Sequence, residues 1–204
     1  MSTDATAPDT IVLIHGFWVT PRSWEHWIDR YEQAGYRVIA PAYPGFEVEV
    51  EALNADTSPI EALTVPAVVE HLETVVGELE SPPILIGHSA GGTFVQILLD
   101  HGFGAAGVAM NSAPTEGVRT TPLSQLKSTF PVFKNPANRH RAVGLTPEQW
   151  QYAFTNKFTD EHVMNYVSMH GWHRMVGVIA RSIDSGEFEK LLSRIPLHEQ
   201  REKW

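Results

Sequence analysis

The 204-residue chain contains no cysteine, so its fold owes nothing to disulfides, and no redox compartment can be read from its thiols. It has no apolar run near the roughly 20 residues that a transmembrane helix needs. Basic residues are scarce as well: fifteen Lys and Arg stand against twenty-four Asp and Glu, a formal net charge of -9. That balance repels phosphate backbones and anionic membranes, and the cations gather into no basic stripe. Neither nucleic acid nor a membrane is therefore an expected partner. The first residues, from Met1 to Asp9, lack the basic, apolar and small-residue regions of a signal peptide. A cytoplasmic protein is expected. Internal repeats and low-complexity tracts are also missing.

What is present suits one soluble domain with a sizeable core and room for an inserted cap: 43% of residues are hydrophobic and 19% charged. Residues 10–14 form a continuous β-branched and aliphatic run ending at His15-Gly16, as in a parallel strand buried on both faces. Thr20-Pro21 then offers a helix start, with Trp24, Trp27, Ile28 and Tyr31 at helical spacing up to Ala34-Gly35. A second strand is predicted over 36–40, closed by Pro41 and the turn Tyr43-Pro44-Gly45. Residues 46–59 are acidic and poorly periodic and read as loop. A helix follows over 63–79, with Val65, Val68, Val69, Leu72, Val75, Val76 and Leu79 on one stripe. Further strands are predicted at 84–86 and 105–110, with a helix over 90–101 between them.

Strands and helices alternating in this way imply βαβ units and an α/β fold, a doubly wound, mostly parallel sheet with helices on both faces. The pattern changes after Pro122, where no strand of similar quality recurs. Thr146-Pro147-Glu148-Gln149 is a capping box, and Thr159-Asp160-Glu161 is a second helix start. The division expected is a core over 1–121 and a helical cap over 122–204.

Gly87-His88-Ser89-Ala90-Gly91 lies between an apolar strand and a helical segment. In a strand-to-helix turn this sharp, glycines are required where any Cβ would strike neighbouring chain, and the serine hydroxyl is lifted above the carboxyl edge of the sheet. The helix behind it aims its positive end at any oxyanion formed there. A chance glycine-rich turn is the duller account, but strand, Gly92 and helix are all in register. His15-Gly16-Phe17-Trp18 ends the first strand on the same edge, so the N–H groups of Phe17 and Ala90 are candidates for an oxyanion hole. His15, Trp18 and His88 are expected around the pocket, His15 as a structural hydrogen-bonding group rather than a base.

His15-Gly16-Phe17-Trp18, the turn Pro41-Ala42-Tyr43-Pro44-Gly45 and Gly87-His88-Ser89-Ala90-Gly91-Gly92, in that order, resemble the α/β-hydrolase fold family in its lid-bearing, esterase-like branch. The likeness covers about residues 10–115; Ala42 departs from it where many relatives carry Asp. It implies a cofactor-free serine hydrolase acting on small carboxylic esters or related acyl compounds through an acyl-enzyme on Ser89, with a histidine base and an acid that orients it. In relatives, a segment similar to residues 188–196 leads into two more strands that carry the acid and the histidine. Here residues 197–204 follow Pro196 instead, so the resemblance implies a truncated chain with an incomplete triad.

Glu116 is the candidate substitute acid, or else a solvated loop carboxylate. The downstream histidines are His170, His173 and His198. His170 and His173 can share a helix face, but no carboxylate pair accompanies them and no metal site is expected. Aromatics between Phe130 and Trp172 are read either as core or as the lining of an acyl or aryl pocket. The alternative function is an inactive, hydrolase-shaped protein that binds a small molecule or a partner. Loss of the last strands would also leave strand 105–110 at an open edge, where a homodimer can form.

Overall fold

The computed structural model describes residues 7–113 and 123–155, together with 157 and 159. Four parallel strands form one sheet in the order β2-β1-β3-β4: β1 is Thr10–Ile14, β2 Arg37–Ile39, β3 Ile84–His88 and β4 Ala106–Met110. β1 lies between β2 and β3, with Ile11 opposite Val38 on one side and Ile84 on the other. All five of its residues are buried, which is why it reads as an unbroken aliphatic run. Alternate side chains serve opposite faces of the sheet. Val12 and Ile14 join the core beneath helices α4 (Val65–Gly77) and α5 (Ala90–Asp100), while Ile11 and Leu13 pack with Ile86 and Trp24 on the other face. There a 3-10 turn, Pro21–Trp24, leads into α1, Glu25–Gln33.

The fold is thus a parallel α/β sheet with helices on both faces, as expected. One expectation fails. Residues 46–59 are not a plain loop, because α2 (Val50–Ala55) and α3 (Ser58–Glu61) occupy much of that stretch. Val50, Leu53 and Ile60 are buried in the main core, so tertiary burial organises a segment whose acidic surface hides its few apolar anchors. α4 begins at the first residue of its apolar stripe, two residues later than the expected range of 63–79, because the side chain of Thr64 caps it by accepting from the N–H of Ala67 at 3.3 Å.

After β4, the described chain resumes with α6 (Leu123–Phe133), a 3-10 turn at Pro136–His140 and α7 (Pro147–Phe154). The capping box at Thr146 and Gln149 is present in both directions. Val132, Leu145 and Trp150 pack with Trp18 and Val19 in a small core of their own, which seats these helices above the carboxyl edge of the sheet. The rest of the predicted cap, including the helix start at Thr159-Asp160-Glu161, is outside the described residues apart from positions 157 and 159. Among the described residues, β4 pairs only with β3 and is largely exposed.

Candidate active site

β3 runs out at His88 and α5 begins at Ala90, so the chain reverses direction across Ser89 alone. Ser89 has φ 56° and ψ -120°, a left-handed backbone that costs a non-glycine residue about 1–3 kcal/mol. The surroundings fix it there. Its N–H donates to the carbonyl of Met110 at 3.0 Å, and its carbonyl accepts from Gly92 at 3.0 Å and Ala113 at 3.1 Å. The flanking glycines are required by contact: a Cβ at Gly87 would sit 2.2 Å from the Gly91 carbonyl oxygen, and one at Gly91 only 2.1 Å from that of Ile14.

A polar brace stands behind this turn. Gln96 Nε2 donates to Ser112 Oγ at 2.9 Å and to the carbonyl of Gly92 at 3.2 Å, and Thr93 Oγ1 donates to the carbonyl of Ala113 at 3.1 Å. These bonds hold the loop after β4, including Asn111 at φ 42°, against the base of α5. Sequence reasoning missed Thr93, Gln96, Asn111 and Ser112. Their only signal was position, one or two turns beyond the serine or just past the fourth strand.

The chain leaving β1 crosses directly over the serine. A Cβ at Gly16 would stand 3.0 Å from Ser89 Cβ, so the loop carrying Phe17 and Trp18 borders the hydroxyl. Phe17 packs edge-on against Phe94. Among the described residues, the N–H groups of Phe17 and Ala90 have no backbone acceptor. His15, expected at the pocket wall, lies in the core instead. It is fully buried, its ring stacks on Tyr43 at 3.9 Å between centroids, and its Nδ1 lies 2.8 Å from the Gly16 carbonyl. The Tyr43 phenol donates in turn to the His15 carbonyl. Complete burial raises the Tyr43 pKa well above the ordinary value of 10.0, so the phenol stays a donor.

Above Ser89 is a cavity of about 720 Å³, walled by Trp18, His88, Asn111, Tyr152 and Phe154 with hydroxyls of α6. His88 is partly desolvated there, which lowers its pKa below 6.5 and keeps its imidazole neutral. Among the described residues nothing hydrogen-bonds to Ser89 Oγ, and no group of three or more His, Asp or Glu is placed to hold a metal. Glu116, His170, His173 and His198 lie outside the described residues. Phe130, a candidate for pocket or core, turns away from both and is 63% exposed.

The model of the alpha/beta hydrolase family matches residues 11–193. The chain belongs to this family. No curated protein matches it. Among solved structures, an extracellular alpha/beta-hydrolase from a Paenibacillus species is 21% identical, with a TM-score of 0.64 over 84% of this chain and 69% of its own. A pyrethroid hydrolase from Sphingobium faniae JZ-2 is 20% identical, with a TM-score of 0.56 over 74% of this chain and 62% of its own. A mutant of polyneuridine aldehyde esterase is 16% identical, with a TM-score of 0.57 over 90% of this chain and 77% of its own. At these identities the likeness is one of fold. No helix of this alpha/beta hydrolase, among the described residues, is long and apolar enough to cross a membrane.

Proposed function

We propose that this alpha/beta hydrolase cleaves small carboxylic esters or related acyl compounds through an acyl-enzyme on Ser89, without a cofactor. The observation that carries the reading is the backbone of Ser89, held left-handed at a strand-to-helix turn beneath a cavity. Strain of that kind is kept where a side chain must be presented in one direction. In the reaction, Ser89 Oγ bonds to the acyl carbon as its proton passes to a base. The N–H groups of Phe17 and Ala90 receive the oxyanion, each such donor being worth about 2.7–4 kcal/mol. The alcohol departs with a proton, and water then releases the acid from Ser89. Polyneuridine aldehyde esterase, an esterase by name, shares the fold, which makes a carboxylic ester the first substrate to try.

The second reading is a hydrolase-shaped protein that binds a small molecule in the same cavity without a working base. Even so, an oxyanion hole and substrate binding alone leave a rate enhancement of about 10³–10⁴ over water. Labelling of the pure protein by a fluorophosphonate, mapped by mass spectrometry, tests the first reading, and Ser89 is the residue expected to carry the label. A label on another serine with Ser89 unmodified would overturn the assignment. Hydrolysis of a short-chain chromogenic ester that disappears in Ser89→Ala separates enzyme from binding protein.

A further inference from the structure

Three non-glycine residues among the described ones hold a left-handed backbone: Trp18 at φ 65°, Ser89 at φ 56° and Asn111 at φ 42°. All three wall the cavity above Ser89. The strain at Ser89 and Asn111 belongs to the sharp turn and to the loop braced against α5. Trp18 is the largest of the three and the least suited to such a backbone, because a bulky side chain at positive φ crowds the neighbouring carbonyl. Its ring is seated almost out of solvent, 8% exposed, packed with Val19, Val132, Leu145 and Trp150 and edge-on to Phe154 at 6.3 Å between centroids.

The seat is built from both ends of the molecule. Val132 belongs to α6, Trp150 to α7 and Leu145 to the chain between them, whereas Trp18 and Val19 come from the loop after β1. Phe17 is shared: it packs on this cluster and also into the main core, edge-on to Phe94 of α5. One residue earlier, a Cβ at Gly16 would stand 3.0 Å from Ser89 Cβ. The loop that borders the nucleophile is therefore the same loop through which α6 and α7 grip the sheet domain. Of the five buried residues of the cluster only Trp18 also walls the cavity, with Val132, Leu145 and Trp150 standing behind it.

We propose that Trp18 is a positioning residue: its ring, seated between α6 and α7, holds the left-handed backbone at Trp18 and with it the adjacent N–H of Phe17 beside Ser89. The proposal rests on the reading of Phe17 as an oxyanion donor. Such a donor counts only when it is held where the charge develops. Interiors are close-packed, so atoms removed from the seat leave a cavity that its neighbours fill only in part. A loosened ring lets Trp18 relax toward an ordinary negative φ and carries the Phe17 N–H out of place. The helices above the cavity thereby belong to the apparatus that receives the oxyanion, beyond covering it.

Leu145→Ala in the full chain is the test, because Leu145 is 3% exposed in the seat and has no part in the cavity wall. Inactivation by a fluorophosphonate is followed well below the melting temperature of each variant and split into a probe dissociation constant and a maximal rate. The maximal rate should fall about tenfold or more while the dissociation constant stays within about twofold, since a displaced donor is lost to the transition state alone. Leu145→Met, which conserves volume, should restore the rate. Val132→Ala, a smaller deletion in the same seat, should slow the reaction in the same sense and gives the reading if Leu145→Ala does not fold. Hydrogen exchange adds a readout free of the chemistry: amides of residues 15–19 should exchange faster in the variants while those of β3 do not change. A lowered melting temperature with an unchanged maximal rate would make the seat merely structural and overturns the proposal. Unchanged exchange over 15–19 overturns it equally. If wild-type Ser89 takes no label, the hydrolase reading falls, and exchange alone decides whether the helices position the loop.

Discussion

The Tyr43 phenol donates its hydrogen to the carbonyl of His15, which joins the turn after β2 to the loop after β1 that passes over Ser89. Tyr43→Phe leaves that buried carbonyl without this donor and is expected to cost about 1–3 kcal/mol. A urea midpoint equal to that of the wild type would show that the bond holds nothing in place. Because the loop carries Phe17, ester turnover should fall as well.

Burial sets both ends of the stability range in pH. The His88 imidazole has a folded pKa below its unfolded value of 6.5, so the unfolded chain takes up the proton first and stability falls as pH drops below 6.5. At the other end, the Tyr43 phenol ionises first in the unfolded chain, so its contribution is complete below pH 10 and lost above it. Melting temperatures across pH should fall less steeply on the acid side in His88→Gln and on the alkaline side in Tyr43→Phe. Parallel curves for variant and wild type would contradict the assignment.

The glycines should divide by what their Cβ would touch. In Gly91→Ala the new carbon meets a carbonyl oxygen at 2.1 Å, and a loss of about 3 kcal/mol or more is expected from overpacking against rigid backbone. Gly102 has φ 86° with nothing within 4 Å, so Gly102→Ala should cost only the backbone strain, about 1–2 kcal/mol. Equal losses would mean that contact is not the deciding term.

Thr146 accepts from the N–H of Gln149 at 3.3 Å while the Gln149 side chain accepts from the N–H of Thr146 at 2.8 Å. Thr146→Ala should destabilise by about 1 kcal/mol. α7 carries Tyr152 and Phe154 to the cavity wall, so binding of a small ester should weaken with it. A denaturation curve that does not move would refute the cap's contribution.

β4 offers a row of backbone groups to another strand, and Val108 on it is 46% exposed. A second copy pairing there about a two-fold axis gives a closed dimer, and light scattering at micromolar concentration should detect it. Val108→Pro removes a donor from the row and should weaken the dimer. A monomer whose amides along β4 resist hydrogen exchange would rule the pairing out.

The sheet was legible in the sequence because burial on both faces leaves little but aliphatic residues, as at Ile11, Val12, Leu13 and Ile14. The turn at Ser89 was legible because Gly87 and Gly91 are forced by contact. α2 and α3 were not, since Val50, Leu53 and Ile60 are too few and too dispersed to display a period. The core position of His15 depends on Tyr43 arriving from the turn after a different strand, which no local pattern encodes. Phe130 was read as inward because aromatic residues at helical spacing usually are; α6 reverses the rule by facing hydroxyls toward the cavity.

The parallel pairing of the four described strands, in this order, also dictates when the protein can fold. Ile11 pairs with Ile84, and Ile84 with Ala106, so the central strand waits for partners made long after it has left the ribosome. Parallel pairing permits no local hairpin to nucleate the sheet, and each contact must first meet the entropy of closing a long loop. High contact order of this kind slows folding, and until β3 arrives the apolar β1 of the nascent chain is exposed to whatever other chains surround it.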